Sequence, residues 1–183
     1  MRTRLSRDVW LNKPLRLPDI DPLYVWLTDA GSLTARVRAR CSRLEVQVLA
    51  QSLARPHRDE AMLLGMRAGE IGWLREVLLV ADGVPVVYAR SLLPRRNLRG
   101  GWRLLAGIGN RPLGAALFAD PRISRSPLAC RRLDRRDARY HRALVASDSA
   151  APALWARRSV FRLKRRSLMV CEVFLPAIRA LDR

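Results

Sequence analysis

Cysteine and histidine are scarce in this sequence: Cys41, Cys130 and Cys171 are its three cysteines, and His57 and His141 its two histidines. An odd count, wide spacing and no C-x-x-C argue against a disulfide framework or a zinc site. The cysteines read as small buried or half-buried residues, and the histidines as surface residues. No metal or cofactor is implied. Long apolar runs are missing too, since charges interrupt every candidate, which excludes a membrane-spanning helix. The basic start, Met1 to Arg7, is followed by neither an apolar core nor a small-residue cleavage site, so the expected location is cytoplasmic. No G-x-S-x-G, Walker loop or G-x-G-x-x-G occurs; Gly107-Ile108-Gly109 lacks the remaining glycine and a preceding strand. Repeats and linker-like stretches are also missing. The 183 residues, 49% of them hydrophobic, therefore read as one domain, 1–183, with a real core.

Lysine is rarer than the charge balance would lead one to expect. Of 35 basic residues only Lys13 and Lys164 are lysine, and the formal net charge is +19. The arginines are spread along the chain, as a codon bias would spread them. The one dense stretch, Cys130 to Arg139, interleaves Asp134 and Asp137 as a solvated helix face does. Such charge attracts polyanions without specificity and marks no dedicated nucleic-acid site.

Periodicity supplies the elements. Asp21 to Asp29 reads as a short helix, and Ser32 caps a second one from Leu33 to about Arg40. Leu44 to Gln51 alternates as a strand with one wet face. Trp73–Ala81 and Val84–Leu93 flank Asp82-Gly83, a favoured pair for a two-residue hairpin turn. Arg111 to Phe118 reads as a helix introduced by Pro112. Residues 122–153 are Arg-rich, partly helical and poorly legible. Leu154–Leu163 and Leu168–Leu175, joined by Lys164 to Ser167, form a second hairpin. The expected fold is α+β: an antiparallel sheet, helices on one face, and an enclosed ligand pocket.

Two charges break the apolar strands. Glu172 shares a face with Leu168, Val170 and Phe174, and Arg75 with Trp73, Val77 and Leu79. A charge on such a face is paired or does chemistry. In the simplest hairpin register Arg75 also faces Arg90, a like-charge conflict that an anionic ligand would relieve. Either an anion sits there, or the register differs and one arginine reaches solvent along its stem. Glu172 is likewise either a structural partner of Arg75 or Arg90, or a catalytic acid. The helix starts at Leu33 and Leu113 offer free backbone N–H groups that suit an anion.

Short segments in a fixed order resemble the chorismate pyruvate-lyase family. They are Gly31-Ser32-Leu33-Thr34, Trp73-Leu74-Arg75-Glu76-Val77, Ala81-Asp82-Gly83-Val84-Pro85, Ala89-Arg90-Ser91, Arg111-Pro112-Leu113-Gly114 through Phe118, Leu154-Trp155 through Ser159, and Cys171-Glu172-Val173 through Pro176. The resemblance implies a lyase that uses no metal or organic cofactor and converts chorismate to 4-hydroxybenzoate and pyruvate at the first committed step of ubiquinone synthesis. It implies that Arg75 grips the ring carboxylate and Glu172 meets the ring hydroxyl. Leu33 and Leu113 would contact the ligand through their backbone, and Arg90 would be a further arginine of the pocket region. A monomer with small-molecule partners is expected. The rival expectation is a non-catalytic domain that binds small aromatic acids, related to the ligand-sensing domains of transcription regulators. The short N-terminal part leaves no room for a helix-turn-helix.

Overall fold

In the computed structural model, residues 9–12, 14, 20–100, 102 and 107–182 are described, so the basic stretch 1–8 lies outside them. Seven antiparallel strands form one sheet: β1 Leu44–Ala54, β2 Gly72–Ala81, β3 Val84–Pro94, β4 Ile123–Arg125, β5 Ala129–Leu133, β6 Leu154–Leu163 and β7 Arg166–Phe174. Their order is β1-β2-β3-β7-β6, with β4 and β5 end to end on the outer edge of β6. The helices are α1 Tyr24–Thr28, α2 Leu33–Arg38, α3 Arg58–Leu63, α4 Leu113–Ala119 and α5 Ala138–Ser147. A 3-10 turn, Asp21–Leu23, leads into α1.

Helices pack on both faces of the sheet, not on one. Leu27, Leu33 and Val37 of α1 and α2 join Leu79, Val87 and Phe174, and Leu113 and Leu117 of α4 join Leu93, Phe161 and Leu168. On the opposite face, Leu64 at the end of α3 and Ala143 of α5 pack with Leu78, Tyr88, Val160 and Val173. The physical reason lies in the central strands, which are buried along almost their whole length. A strand that is apolar on both faces must be covered on both. β1, at the sheet edge, keeps the mixed exposure of a strand with a wet face.

The first hairpin has the expected two-residue turn, with Asp82 and Gly83 both at positive φ, 48° and 84°. Beyond it, however, the register departs from the simple one. Val80 pairs with Pro85 but Leu79 pairs with Val87, so Val86 is an extra residue in β3. Its carbonyl accepts the N–H of Leu175 instead of a β2 partner. This bulge shifts every later pair by one and exchanges the faces of β3. Arg75 consequently faces Ser91, and Arg90 faces Glu76.

The second hairpin is tighter than a four-residue loop. Leu163 pairs with Arg166 around Lys164-Arg165, which sets Arg157 opposite Glu172. The Arg-rich region contains two short strands, β4 and β5, before α5. Cys130 and Cys171 are buried and Cys41 is half-buried, all three as free thiols. His57 is half-buried at the start of α3, where its backbone N–H donates to Glu60 Oε2. No helix among the described residues is long and apolar enough to cross a membrane.

Candidate active site

A cavity lies between the sheet and the paired starts of α2 and α4. Its floor consists of two rows of residues that cross the central strands. One row is Arg75, Ser91 and Val170, the next Val77, Ala89 and Glu172; Ser159 and Arg157 continue the two rows on β6 beyond the lining. The middle strand contributes Ala89 and Ser91, whose small side chains leave space beneath the helices. Its neighbours on the same face, Val87 and Leu93, fill theirs and are fully buried. Leu33 and Thr34 of α2, and Leu113, Gly114 and Leu117 of α4, roof the cavity. Gly114 suits that close approach, because a Cβ there would lie 3.3 Å from both Ser32 Oγ and Thr34 Oγ1, which would have to give way by a few tenths of an ångström.

Arg75 and Glu172 thus belong to one cavity, as their strand faces implied. Their Cα atoms are two strand spacings apart and two residues offset, roughly 12 Å. Arg75 is 4% exposed. One of its terminal nitrogens donates to the carbonyls of Gly109 and Arg111 at 2.9 and 3.1 Å. Its Nε is buried with no hydrogen-bond partner among the described residues. Burial lowers its pKa, and no acidic group offsets that effect. A guanidinium in this state lacks the counter-charge that burial ordinarily demands.

Glu172 is held differently. Arg157 Nε donates to its Oε2 at 2.5 Å, while Arg157 Nη1 donates to the carbonyls of Trp26 and Asp29 at 2.7 and 2.8 Å. Arg157 is 1% exposed, so α1 and the last hairpin are tied together behind the carboxylate. Arg157 was not among the residues singled out from the sequence. A two-residue turn at Lys164-Arg165 was the signal that could have found it. Arg125 of β4, which also lines the cavity, had no comparable signal.

Leu33 and Leu113 line the cavity at the first positions of their helices. Arg90 does not line it. The bulge turns it to the opposite face, where it donates to Glu60 at 2.8 and 3.1 Å and to Glu76 at 2.9 Å. Tyr88 and Arg142 donate to the same Glu76 carboxylate at 2.6 and 2.8 Å. The expected Arg75–Arg90 conflict is therefore replaced by a buried ion-pair network, and no anion is needed between those two side chains.

The same arrangement of sheet and helices recurs in solved structures of bacterial regulators. A transcriptional regulator of the GntR family from Bacillus cereus superposes with a TM-score of 0.55 at 14% identity, covering 74% of this chain and 93% of that one. The effector domain of PhnF from Mycobacterium smegmatis gives 0.54 at 16% identity, covering 80% and 89%. At such identities the likeness is one of fold alone.

Sequence narrows the class. Residues 5–182 match the family described as Chorismate lyase, and the chain belongs to that family. A relative in Aromatoleum aromaticum, named "Probable chorismate pyruvate-lyase", is 64% identical over 183 residues, covering 97% of both chains. One of the same name in Azoarcus sp. is 58% identical over 185 residues, covering 99% of this chain and 97% of its own.

Proposed function

We propose that this chain converts chorismate to 4-hydroxybenzoate and pyruvate in the cavity between Arg75 and Glu172. The observation that carries the reading is Arg75, a buried cation with no counter-charge among the described residues, facing a cavity with a carboxylate at its other end. Family membership and the names of the relatives supply the substrate. The ring carboxylate provides the missing anion, and an arginine fork is the group that binds it best. Backbone groups at Leu33 and Leu113 complete the grip from the roof.

The reaction needs little from the protein beyond placement. The C3–O bond of the enolpyruvyl ether breaks and its electron pair leaves with the oxygen. The C4 hydrogen is lost as a proton, its bonding pair completes the aromatic ring, and a proton added to the released enol gives pyruvate. Aromatisation drives the step, so excluding water and fixing the ring supply much of the catalysis. Glu172 stands at the end where the C4 hydroxyl would lie and orients it. In a stepwise route its carboxylate accepts the C4 proton; in an intramolecular transfer it orients only.

In this reading the enzyme is a cytoplasmic monomer at the first committed step of ubiquinone synthesis, and the route uses only the chain's own groups. Incubating purified protein with chorismate tests it: 4-hydroxybenzoate and pyruvate should appear in equal amounts. Tight binding of 4-hydroxybenzoate by folded protein that leaves chorismate intact would favour a sensing domain instead.

A further inference from the structure

Arginines elsewhere in the interior hold carboxylates. Arg90 pairs with Glu60 and Glu76, Arg139 with Asp137, Arg157 with Glu172, and Arg158 with Asp59. The two arginines that line the cavity do not. Arg75 is held by two carbonyls, and Arg125 by a hydroxyl and two carbonyls. Arg125 Nε donates to Ser159 Oγ at 2.8 Å, and its Nη1 to the carbonyls of Ala30 and Gly31 at 2.7 and 3.3 Å. Its guanidinium carbon lies 5.4 Å from the ring centre of Phe118 and 5.1 Å from that of Phe161. Among the described residues no carboxylate pairs with it, yet five neighbours fix its position.

Placement adds to this. Ser159, which orients Arg125, stands in the same row as Arg75, three strand spacings away, about 14 Å between Cα atoms. Two guanidiniums with no carboxylate bonded to them among the described residues therefore bracket the cavity, with Glu172 between them along the sheet. Burial lowers the pKa of Arg125, and the nearby charge of Glu172 partly offsets this. Arg125 and Phe118 also line a second, open groove bordered by Tyr24, Thr28 and Leu128. They form the wall between the cavity and that groove, whereas Arg75 is at the far end.

We propose that Arg125 receives the enolpyruvyl carboxylate of the substrate and is the side from which pyruvate leaves. The inference rests on chorismate being the substrate, because chorismate carries two carboxylates and 4-hydroxybenzoate only one. Arg75 then serves the group that substrate and product share, and Arg125 the group that only the substrate has. Arg90, which the sequence offered for a second carboxylate, is turned away by the bulge, and Arg125 takes that place.

The test separates substrate from product. Arg125→Gln and Arg125→Lys are compared with wild type for chorismate turnover and for the Kd of 4-hydroxybenzoate. Loss of one charge-assisted contact should lower kcat/KM for Arg125→Gln by about 10- to 100-fold, mostly through KM. The 4-hydroxybenzoate Kd should stay within about threefold, and Arg125→Lys should recover part of the loss. Product binding also reports that the variants are folded. A kcat/KM within about threefold of wild type overturns the proposal, as does an equal loss of product affinity, which would make Arg125 a structural prop. If wild-type protein leaves chorismate untouched, the functional reading itself fails and this inference with it.

Discussion

Arg157 stands directly opposite Glu172 across the β6–β7 pair, and its Nε donates to Glu172 Oε2 at 2.5 Å. The same guanidinium binds the carbonyls of Trp26 and Asp29, so one buried side chain connects the site carboxylate with the first helix. The Glu172 side chain is thereby held in place at the cavity wall before any ligand arrives.

Arg157→Met should destabilise the fold strongly, because it leaves a carboxylate and two carbonyls short of their donor. Breaking a buried pair from one side costs about 3–5 kcal/mol. Urea denaturation followed by tryptophan fluorescence would measure it. A loss below about 1 kcal/mol would mean that the pair is solvated in practice.

Glu172→Gln distinguishes the two routes. If the carboxylate takes the C4 proton, kcat should fall by about 100-fold or more. If it only orients the hydroxyl, the amide retains a hydrogen bond and the fall should stay under about tenfold. Single-turnover kinetics separate these outcomes, with 4-hydroxybenzoate binding as the folding control.

Ala89→Leu tests whether the space above the small residues of β3 is the binding site. The new side chain enters an existing cavity, so stability should change by less than about 1 kcal/mol while ligand affinity collapses. The same change at Ala156, fully buried on the packed opposite face, should cost about 1–3 kcal/mol and spare the site. Thermal melts with and without 4-hydroxybenzoate would compare them.

Acid should unfold the protein through the face opposite the cavity. Burial by itself would raise the carboxyls of Asp59, Glu76 and Asp137, but the adjoining arginines, together with the Tyr88 hydroxyl at Glu76 and the Trp10 N–H at Asp59, outweigh it and hold all three below their ordinary values. Groups with depressed native pKa values add stability above their unfolded values, 3.8 for Asp and 4.5 for Glu. That stability is lost as pH falls below those values toward the native ones. Denaturation midpoints should be flat near neutrality and drop steeply below about pH 4. A flat profile down to pH 3 would contradict the network's role.

How far the sequence revealed this site depended on register. Two-residue periodicity was enough to put Arg75 and Glu172 on cavity faces, since the strand neighbours that share each one's face are apolar. The Asp82-Gly83 turn was legible because few other pairs tolerate two positive φ angles. The bulge at Val86 was not, because a valine in a valine-rich strand carries no sign of being the extra residue. That one residue decided whether Arg90 met Arg75 or Glu76. Similarly, the length of the loop at Lys164 decided whether Arg157 faced Glu172. The strands β4 and β5 are too short and too arginine-rich to show a period, and Arg125 was hidden with them.

The central claim is that Arg75 is a buried cation waiting for the ligand's carboxylate, and titration of 4-hydroxybenzoate into Arg75→Met tests it most directly. Removing an unpaired buried charge should leave the ligand-free protein as stable as wild type or up to about 2 kcal/mol more stable. It should also weaken 4-hydroxybenzoate binding at least about 100-fold and abolish chorismate turnover. Wild-type affinity and turnover in that variant would contradict the account.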